Sequence, residues 1–290
     1  MDNINQGHTL VAGDLRAHVR ADLGGSLAGL WHGQTPVLRS VEATALQGPR
    51  QSACFPLIPY SNRLGWRRFM WQGHEFTTAP NFESSPHSLH GVGWQRPWQA
   101  VVCTSSAMTL RMRHLPDADW PFAFDAEQRL VITPRSLRME LDMTNTDKVP
   151  QPAGLGWHPY FPKRAMSCVD IPVNSRWEAD GTLLPTHEVD QPALQGRVDA
   201  MNFDHCFGGW NGTALIEDAE LTVRLSASVP WLVVFTPPAQ PHFCVEPVSH
   251  VNDAIHAPDP AARGLVTLPP GKTLSAWMTL DIEPNARSAS

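Results

Sequence analysis

Lysine is almost missing from this chain. Of its 22 basic residues only Lys148, Lys163 and Lys272 are lysines. None sits in an apolar run that would depress its pKa enough for imine formation, so Schiff-base chemistry is disfavoured. Long apolar runs are missing too. No stretch approaches the length of a membrane span, and Met1 to His8 carries neither the basic start nor the apolar run of a secretory signal. The 5 cysteines, Cys54, Cys103, Cys168, Cys206 and Cys244, are odd in number and far apart, with no Cys-x-x-Cys spacing. A disulfide framework or a zinc knuckle is therefore disfavoured, and reduced thiols in the cytoplasm are expected. The basic residues form no stripe and the formal net charge is -6, so the electrostatic footprint of a nucleic-acid binder is absent. Neither nucleic acid nor a membrane is expected as a partner. No Gly-x-Gly-x-x-Gly follows a strand-like run. Pro270-Gly271-Lys272-Thr273 lacks the glycine spacing of a phosphate loop, and Pro269 and Pro270 remove amides that such a loop needs, so this segment reads as a turn into the last strand.

Convincing long amphipathic helices are also lacking, whereas alternating and β-branched segments recur throughout. In Leu137-Arg138-Met139-Glu140-Leu141-Asp142-Met143 every second residue is apolar, which places one face on a core and the other in water. Strands are predicted at 97–103, 107–113, 122–132, 136–144, 221–227, 231–236 and 272–281, and two short ones between Gly25 and Leu38. Arg68-Phe69-Met70-Trp71 and His74-Glu75-Phe76-Thr77 read as a hairpin turned by Gln72-Gly73, although Gln is a weaker first turn residue than Asn or Asp. The 27 prolines and 20 glycines punctuate these runs at intervals that suit antiparallel turns and would break βαβ crossovers. The expected fold is all-β, a large antiparallel β-sandwich. One domain is read over residues 1–290, with a frayed tail at about 284–290 and a loop excursion at 180–212, where turn formers dominate.

His158, in Gly154-Leu155-Gly156-Trp157-His158-Pro159-Tyr160-Phe161, and Glu246, in Phe243-Cys244-Val245-Glu246-Pro247-Val248, each stand directly before a proline. The proline ring excludes the helical region for the residue before it, so both side chains are carried on extended backbone. Each alone has an ordinary reading, as a hydrogen-bonded core histidine and as a solvated strand end. Their aromatic and branched neighbours favour a functional one. Burial among Trp157, Tyr160, Phe161, Val245 and Val248 would raise a carboxylate pKa and lower a histidine pKa, moving both toward the range where proton transfer works near neutral pH. His87-x-x-His90 and the pair His250 and His256 invite a metal reading, but a site on strands needs three or four converging ligands. An acid/base pair accounts for the histidines without a metal.

Four ordered strings raise these residues above isolated signals: Phe55-Pro56-Leu57-Ile58-Pro59-Tyr60-Ser61-Asn62-Arg63-Leu64, Pro86-His87-Ser88-Leu89-His90-Gly91, His158-Pro159-Tyr160-Phe161, and Val245-Glu246-Pro247-Val248-Ser249-His250. In order and approximate spacing they resemble the aldose 1-epimerase (mutarotase) family, over roughly residues 15–282. The resemblance implies a β-supersandwich and a monosaccharide partner, with neither metal nor organic cofactor. It implies Glu246 as general base and His158 as general acid. Asn62, Arg63 and His90 would hold sugar hydroxyls or the ring oxygen, and Asp204 would anchor a hydroxyl. Ring opening needs one group to take the C1-OH proton while another donates to O5, so the two side chains are expected to face one cleft with a single sugar ring between them. Trp66, Trp94 and Trp157 stand near the motifs as candidate stacking platforms. The galactose-handling branch has Asn before the histidine and Ser or Thr after it. Trp157 and Pro159 stand there in this chain, which leaves the sugar open. A phosphorylated hexose would call on Arg63, Arg67 and Arg68. The competing functions are a non-catalytic sugar-binding or sensing protein and a glycan lyase or hydrolase on a related sandwich.

Overall fold

The computed structural model describes residues 7–83 and 85–285. Two large antiparallel sheets dominate. The first has nine strands, in the order Gln99–Cys103, Ala107–His114, Phe124–Ile132, Ser136–Asn145, Thr273–Pro284, Leu221–Ala227, Thr213–Glu217, Cys168–Ile171 and Leu194–Arg197. The second runs Pro185–Asp190, Ser175–Ala179, Asp204–Gly208, Trp231–Phe235, His242–Val248, Gly156–Trp157 and Pro56–Leu57, with Tyr160–Pro162 also paired to His242–Val248. A four-stranded N-terminal sheet, from His8–Ala12 to Thr35–Pro36, packs beside them.

Alternation explains why the two sheets close on each other. In Ser136–Asn145 every second residue is buried, and Leu137, Met139 and Leu141 lie opposite Leu280, Met278 and Ala276 of the last strand. These side chains join Leu232, Val234, Phe243, Val245, Trp157 and Phe161 of the second sheet in one buried cluster. The all-β sandwich expected from periodicity is the fold observed.

Each strand predicted between 97 and 144, and between 221 and 281, is present within a few residues. The loop excursion expected at 180–212 is corrected: it contains the strands Pro185–Asp190, Leu194–Arg197 and Asp204–Gly208. The first two are sheet edges with mostly exposed or half-exposed residues, so they carry no hydrophobic period to read. Strands His8–Ala12 and Leu15–Arg20 escaped prediction altogether. The start of the tail expected at about 284–290 is tied to the sheet as far as Asn285. Thr273–Pro284 is strand to its end, and Asn285 accepts from the Thr222 hydroxyl at 2.8 Å and donates to the Asp218 carbonyl at 2.7 Å. Residues 286–290 lie outside the described residues.

The hairpin Arg68–Trp71 with His74–Thr77 has positive φ at both turn residues, 48° at Gln72 and 82° at Gly73. That is the two-residue turn whose twist matches the strands, and a glutamine in the left-handed region is strained there. Gln72→Asn should therefore stabilise the protein by a few tenths to about 1 kcal/mol, read from the midpoint of urea unfolding. A lower midpoint would mean that the Gln72 side chain contributes more than its backbone costs.

Candidate active site

The strand His242–Val248 is central in its sheet and covered on both faces. Phe243 and Val245 point into the sandwich core. Side chains alternate along a strand, so His242, Cys244 and Glu246 share the opposite face. The chain at 156–162 is arranged likewise, with Trp157 and Phe161 in the core and His158 and Tyr160 turned away from it. Gly156 pairs with Val248 and Tyr160 with Cys244, and the register between them puts His158 directly across from Glu246. Pro159 and Pro247 lack the N–H groups that would continue the ladder there, which accounts for the break into two short strands at the pair.

The side chains meet: His158 Nε2 lies 3.3 Å from Glu246 Oε1. Both are buried, and His158 Nδ1 and Glu246 Oε2 have no hydrogen-bond partner among the described residues. Burial first, then the neighbouring His90 and Arg39, hold the His158 pKa well below its ordinary 6.5. Burial first, then the Asp204 carboxylate, push Glu246 well above its ordinary 4.5, against the pull of Arg63. These opposite shifts belong to the pair as a unit, because one proton moved between the two atoms exchanges a neutral acid and neutral base for an ion pair. The expectation of a sugar ring between them is corrected. Atoms 3.3 Å apart leave no space for a ring, so a ligand must lie over both.

Around this pair the predicted residues converge. The backbone N–H of Asn62 donates to His90 Nδ1 at 3.2 Å, and that of His90 to the Asn62 carbonyl at 2.8 Å. Both residues have left-handed backbones, φ 56° and 63°, costly for a histidine and held by this reciprocal bonding. Burial, reinforced by Arg63, lowers the His90 pKa to about 3. A neutral imidazole whose Nδ1 accepts must carry its proton on Nε2, so His90 is a donor. Arg63 is oriented by the Asn62 side-chain oxygen at 3.1 Å and by Asp204 at 3.5 Å. Asp204 sits in register with Phe235, which sits in register with Cys244 and then Tyr160, making one row across the sheet. The cleft above, about 380 Å³, is lined by Asn62, Arg63, His90, His158, Asp204 and Glu246 together with aromatic side chains. A neighbouring cleft of about 970 Å³ is larger but holds no such acid/base pair.

Several expectations fail on placement. Trp157 is wholly buried in the core, its indole donating to Gln128 at 3.4 Å, and Trp66, exposed at the surface, does not line the cleft. Only Trp94 of the three borders it. Arg67 and Arg68 do not border it either. His87, His250 and His256 are each engaged elsewhere: His87 with the Trp66 N–H and the Thr182 carbonyl, His250 with the Ser61 N–H and the Val251 carbonyl, and His256 with Asp253 and the Arg68 carbonyl. The group among the described residues whose donors converge as metal ligands would is His158, Cys244 and Glu246, all within 4.8 Å of one another. Burial holds the Cys244 thiol protonated, so a cation would first have to displace that proton. Sequence reasoning missed Arg39, Arg50, Phe82 and His242, all of which line the cleft. Only His242 carried a signal, standing two and four residues before Cys244 and Glu246 on the same face.

The fold and this site define a mutarotase-like protein. The family model for aldose 1-epimerase matches residues 8–281, and the chain belongs to that family. It is 31% identical to the uncharacterised protein YphB of Escherichia coli strain K12, over 95% of this chain and 98% of that protein. A crystal structure of a candidate aldose 1-epimerase from E. coli K12 superposes with a TM-score of 0.87 at 29% identity, covering 96% of this chain and 99% of that one. A galactose mutarotase-like protein from Clostridium acetobutylicum shares the fold at a TM-score of 0.83, with 19% identity and coverage of 96% and 95%.

Glu246 also leaves a mark on stability. A carboxyl whose folded pKa is raised contributes fully below its unfolded value and progressively less as pH rises through the folded one. Glu246→Gln removes that loss while keeping the shape. Its melting temperature should exceed that of the parent by a margin that widens as pH rises above the ordinary carboxyl range. A constant or shrinking margin would contradict the raised pKa.

Proposed function

We propose that the protein is an aldose 1-epimerase, interconverting the α and β anomers of a free aldose. The observation that carries this reading is the buried contact between a histidine and a carboxylate shifted in opposite directions, with a fixed donor, His90, beside them. O1 and O5 of a hemiacetal are both bonded to C1. A sugar lying over the pair can therefore present both oxygens at once, O1 to Glu246 and O5 to His158.

The proton balance closes within the pair. Its reactive form is the carboxylate with the imidazolium. Glu246 takes the C1-OH proton as His158 gives its own to O5, and the C1–O5 bond breaks to leave the open aldehyde. The pair is then a neutral acid beside a neutral imidazole, the tautomer that burial favours. Rotation about C1–C2 and the reverse transfers close the ring as the other anomer. The pair has the same net charge throughout, so no step adds charge to the buried site. Arg63, with Asp204, and His90 hold hydroxyls, and the aromatic lining suits the C–H face of a pyranose. A sugar-binding protein without activity would have no use for such a pair. We also propose a cytoplasmic location, which the five free cysteines support.

Polarimetric mutarotation across a panel of free sugars tests the activity. Each positioned proton-transfer group contributes roughly 10²- to 10⁴-fold, so Glu246→Gln and His158→Asn should each lower kcat by at least about 10²-fold, with the double variant little worse than either. Arg63→Ala and His90→Ala should raise KM as well. Near-normal turnover by Glu246→Gln would refute the base.

The reading uses no metal. Exhaustive chelation should leave the rate unchanged, and loss restored by one divalent ion would move the chemistry onto His158, Cys244 and Glu246.

A further inference from the structure

Charge is distributed unevenly along the cleft. At one end Arg63 faces Asp204. At the other lie Arg39 and Arg50, and neither has a carboxylate within ion-pair distance among the described residues. Arg39 is held firmly: its Nε donates to the Ser52 carbonyl at 3.1 Å and its Nη2 to the Arg50 carbonyl at 2.7 Å. Its guanidinium carbon lies 3.6 Å from the centre of the Tyr160 ring, and the His158 ring stacks on Tyr160 at 4.4 Å and 22°. Two groups so close to one ring centre occupy opposite faces, so Tyr160 is sandwiched between them. Arg39 is thus one aromatic ring removed from His158. Arg50 stands alongside with its guanidinium carbon 4.2 Å from the centre of Phe82, itself part of the lining. The half-buried His242 is edge-on to Tyr160 at 5.2 Å. Burial, with Arg39 and Lys163, brings its pKa down to about 4, so it adds a neutral donor or acceptor here and no negative charge. Two cations without counter-charges mark one pole of this cleft, in a chain whose formal net charge is -6.

The sugar's own connectivity turns this pole into a position on the substrate. With O5 at His158, as the mechanism above requires, C5 is the ring atom on the far side of O5 from C1, and C6 hangs from C5. A substituent on C6 therefore projects past His158 and Tyr160, on the side where Arg39 lies. We propose that the cleft binds an aldose bearing an anionic group at C6, held by Arg39 and Arg50. The shared chemistry is an oxyanion: the carboxylate of a hexuronate, or a phosphate or sulfonate on C6. A planar guanidinium fits any of these through paired N–H donors. Asp204 at the opposite end would repel the same group, so the polarity of the cleft also sets which way round the ring lies.

The inference rests on the mutarotase reading, and two measurements keep their failures apart. The first compares kcat/KM for glucose with glucuronate, glucose 6-phosphate and 6-deoxy-6-sulfoglucose, and galactose with galacturonate. At least one anionic sugar should exceed its neutral parent by about tenfold or more, the worth of one charge-assisted hydrogen bond, and the best of them identifies the anion. In Arg39→Gln and Arg50→Gln that ratio should fall toward one. Arg50 is exposed, so its variant remains informative if Arg39→Gln folds poorly. The second is calorimetric titration with 1,5-anhydroglucitol and its 6-phosphate, 6-sulfonate and uronate counterparts, which cannot mutarotate. One of the anionic forms should bind about tenfold more tightly than the neutral one, and less so in either variant. Neutral sugars that turn over as well as every anionic one, with equal binding of all the anhydro sugars, would overturn the anionic subsite and leave the epimerase standing. No mutarotation of any sugar, with tight binding of a charged anhydro sugar, would overturn the epimerase and leave the subsite.

Discussion

Everything at this site depends on one contact, made across an interrupted β-ladder, in which an imidazole and a carboxyl are pressed together at the floor of a cleft with little exposure to water. In water such a pair would be an ordinary, weak ion pair. Buried, its ionised form loses hydration and its neutral form is favoured, while the 3.3 Å separation leaves a proton free to sit on either partner. The surrounding polar groups are arranged around that balance. Asp204 favours the protonated carboxyl and Arg63 opposes it, and those two groups face each other at 3.5 Å. His90 has its tautomer set by a backbone N–H, so it can donate without competing for the shared proton.

The backbone that holds this contact is governed by parity. Along His242–Val248 one set of alternate residues packs the sandwich core and the other faces the cleft, and the same division runs through 156–162. Trp157 shows what parity does to a family comparison. It replaces the residue that the galactose-handling branch carries before the histidine, yet its side chain lies on the core side. The change at that position alters packing and does not reach the cleft.

Parity also explains how much was legible in the sequence. Ser136–Asn145 and Leu221–Ala227 each bury one face, and their alternation is plain in the residue string. Pro185–Asp190 and Leu194–Arg197 are mostly solvated on both faces and leave no such trace. At the site, the prolines after His158 and Glu246 announced extended backbone, and the ordered motifs brought Asn62, Arg63 and His90 into view. The convergence of these with Asp204 in one cleft is a property of register, which no local window contains. Arg39 was illegible for a different reason. It is significant for what does not neutralise it, and the lack of a nearby carboxylate in space cannot be read from neighbours in the chain.

The row of strands under the cleft has a consequence for how the protein comes to be active. Read across the sheet, Phe55, His158, Glu246, Val233 and Cys206 lie side by side, although the chain visits them far apart and out of order. No hairpin or contiguous fragment contains the site. Contacts of such sequence separation close only after a large loss of chain entropy, and the acid and base meet only once the chain at 156–162 has paired with His242–Val248. The site is therefore a product of long-range pairing, and the contact between His158 and Glu246 exists only in a chain whose distant strands have already met.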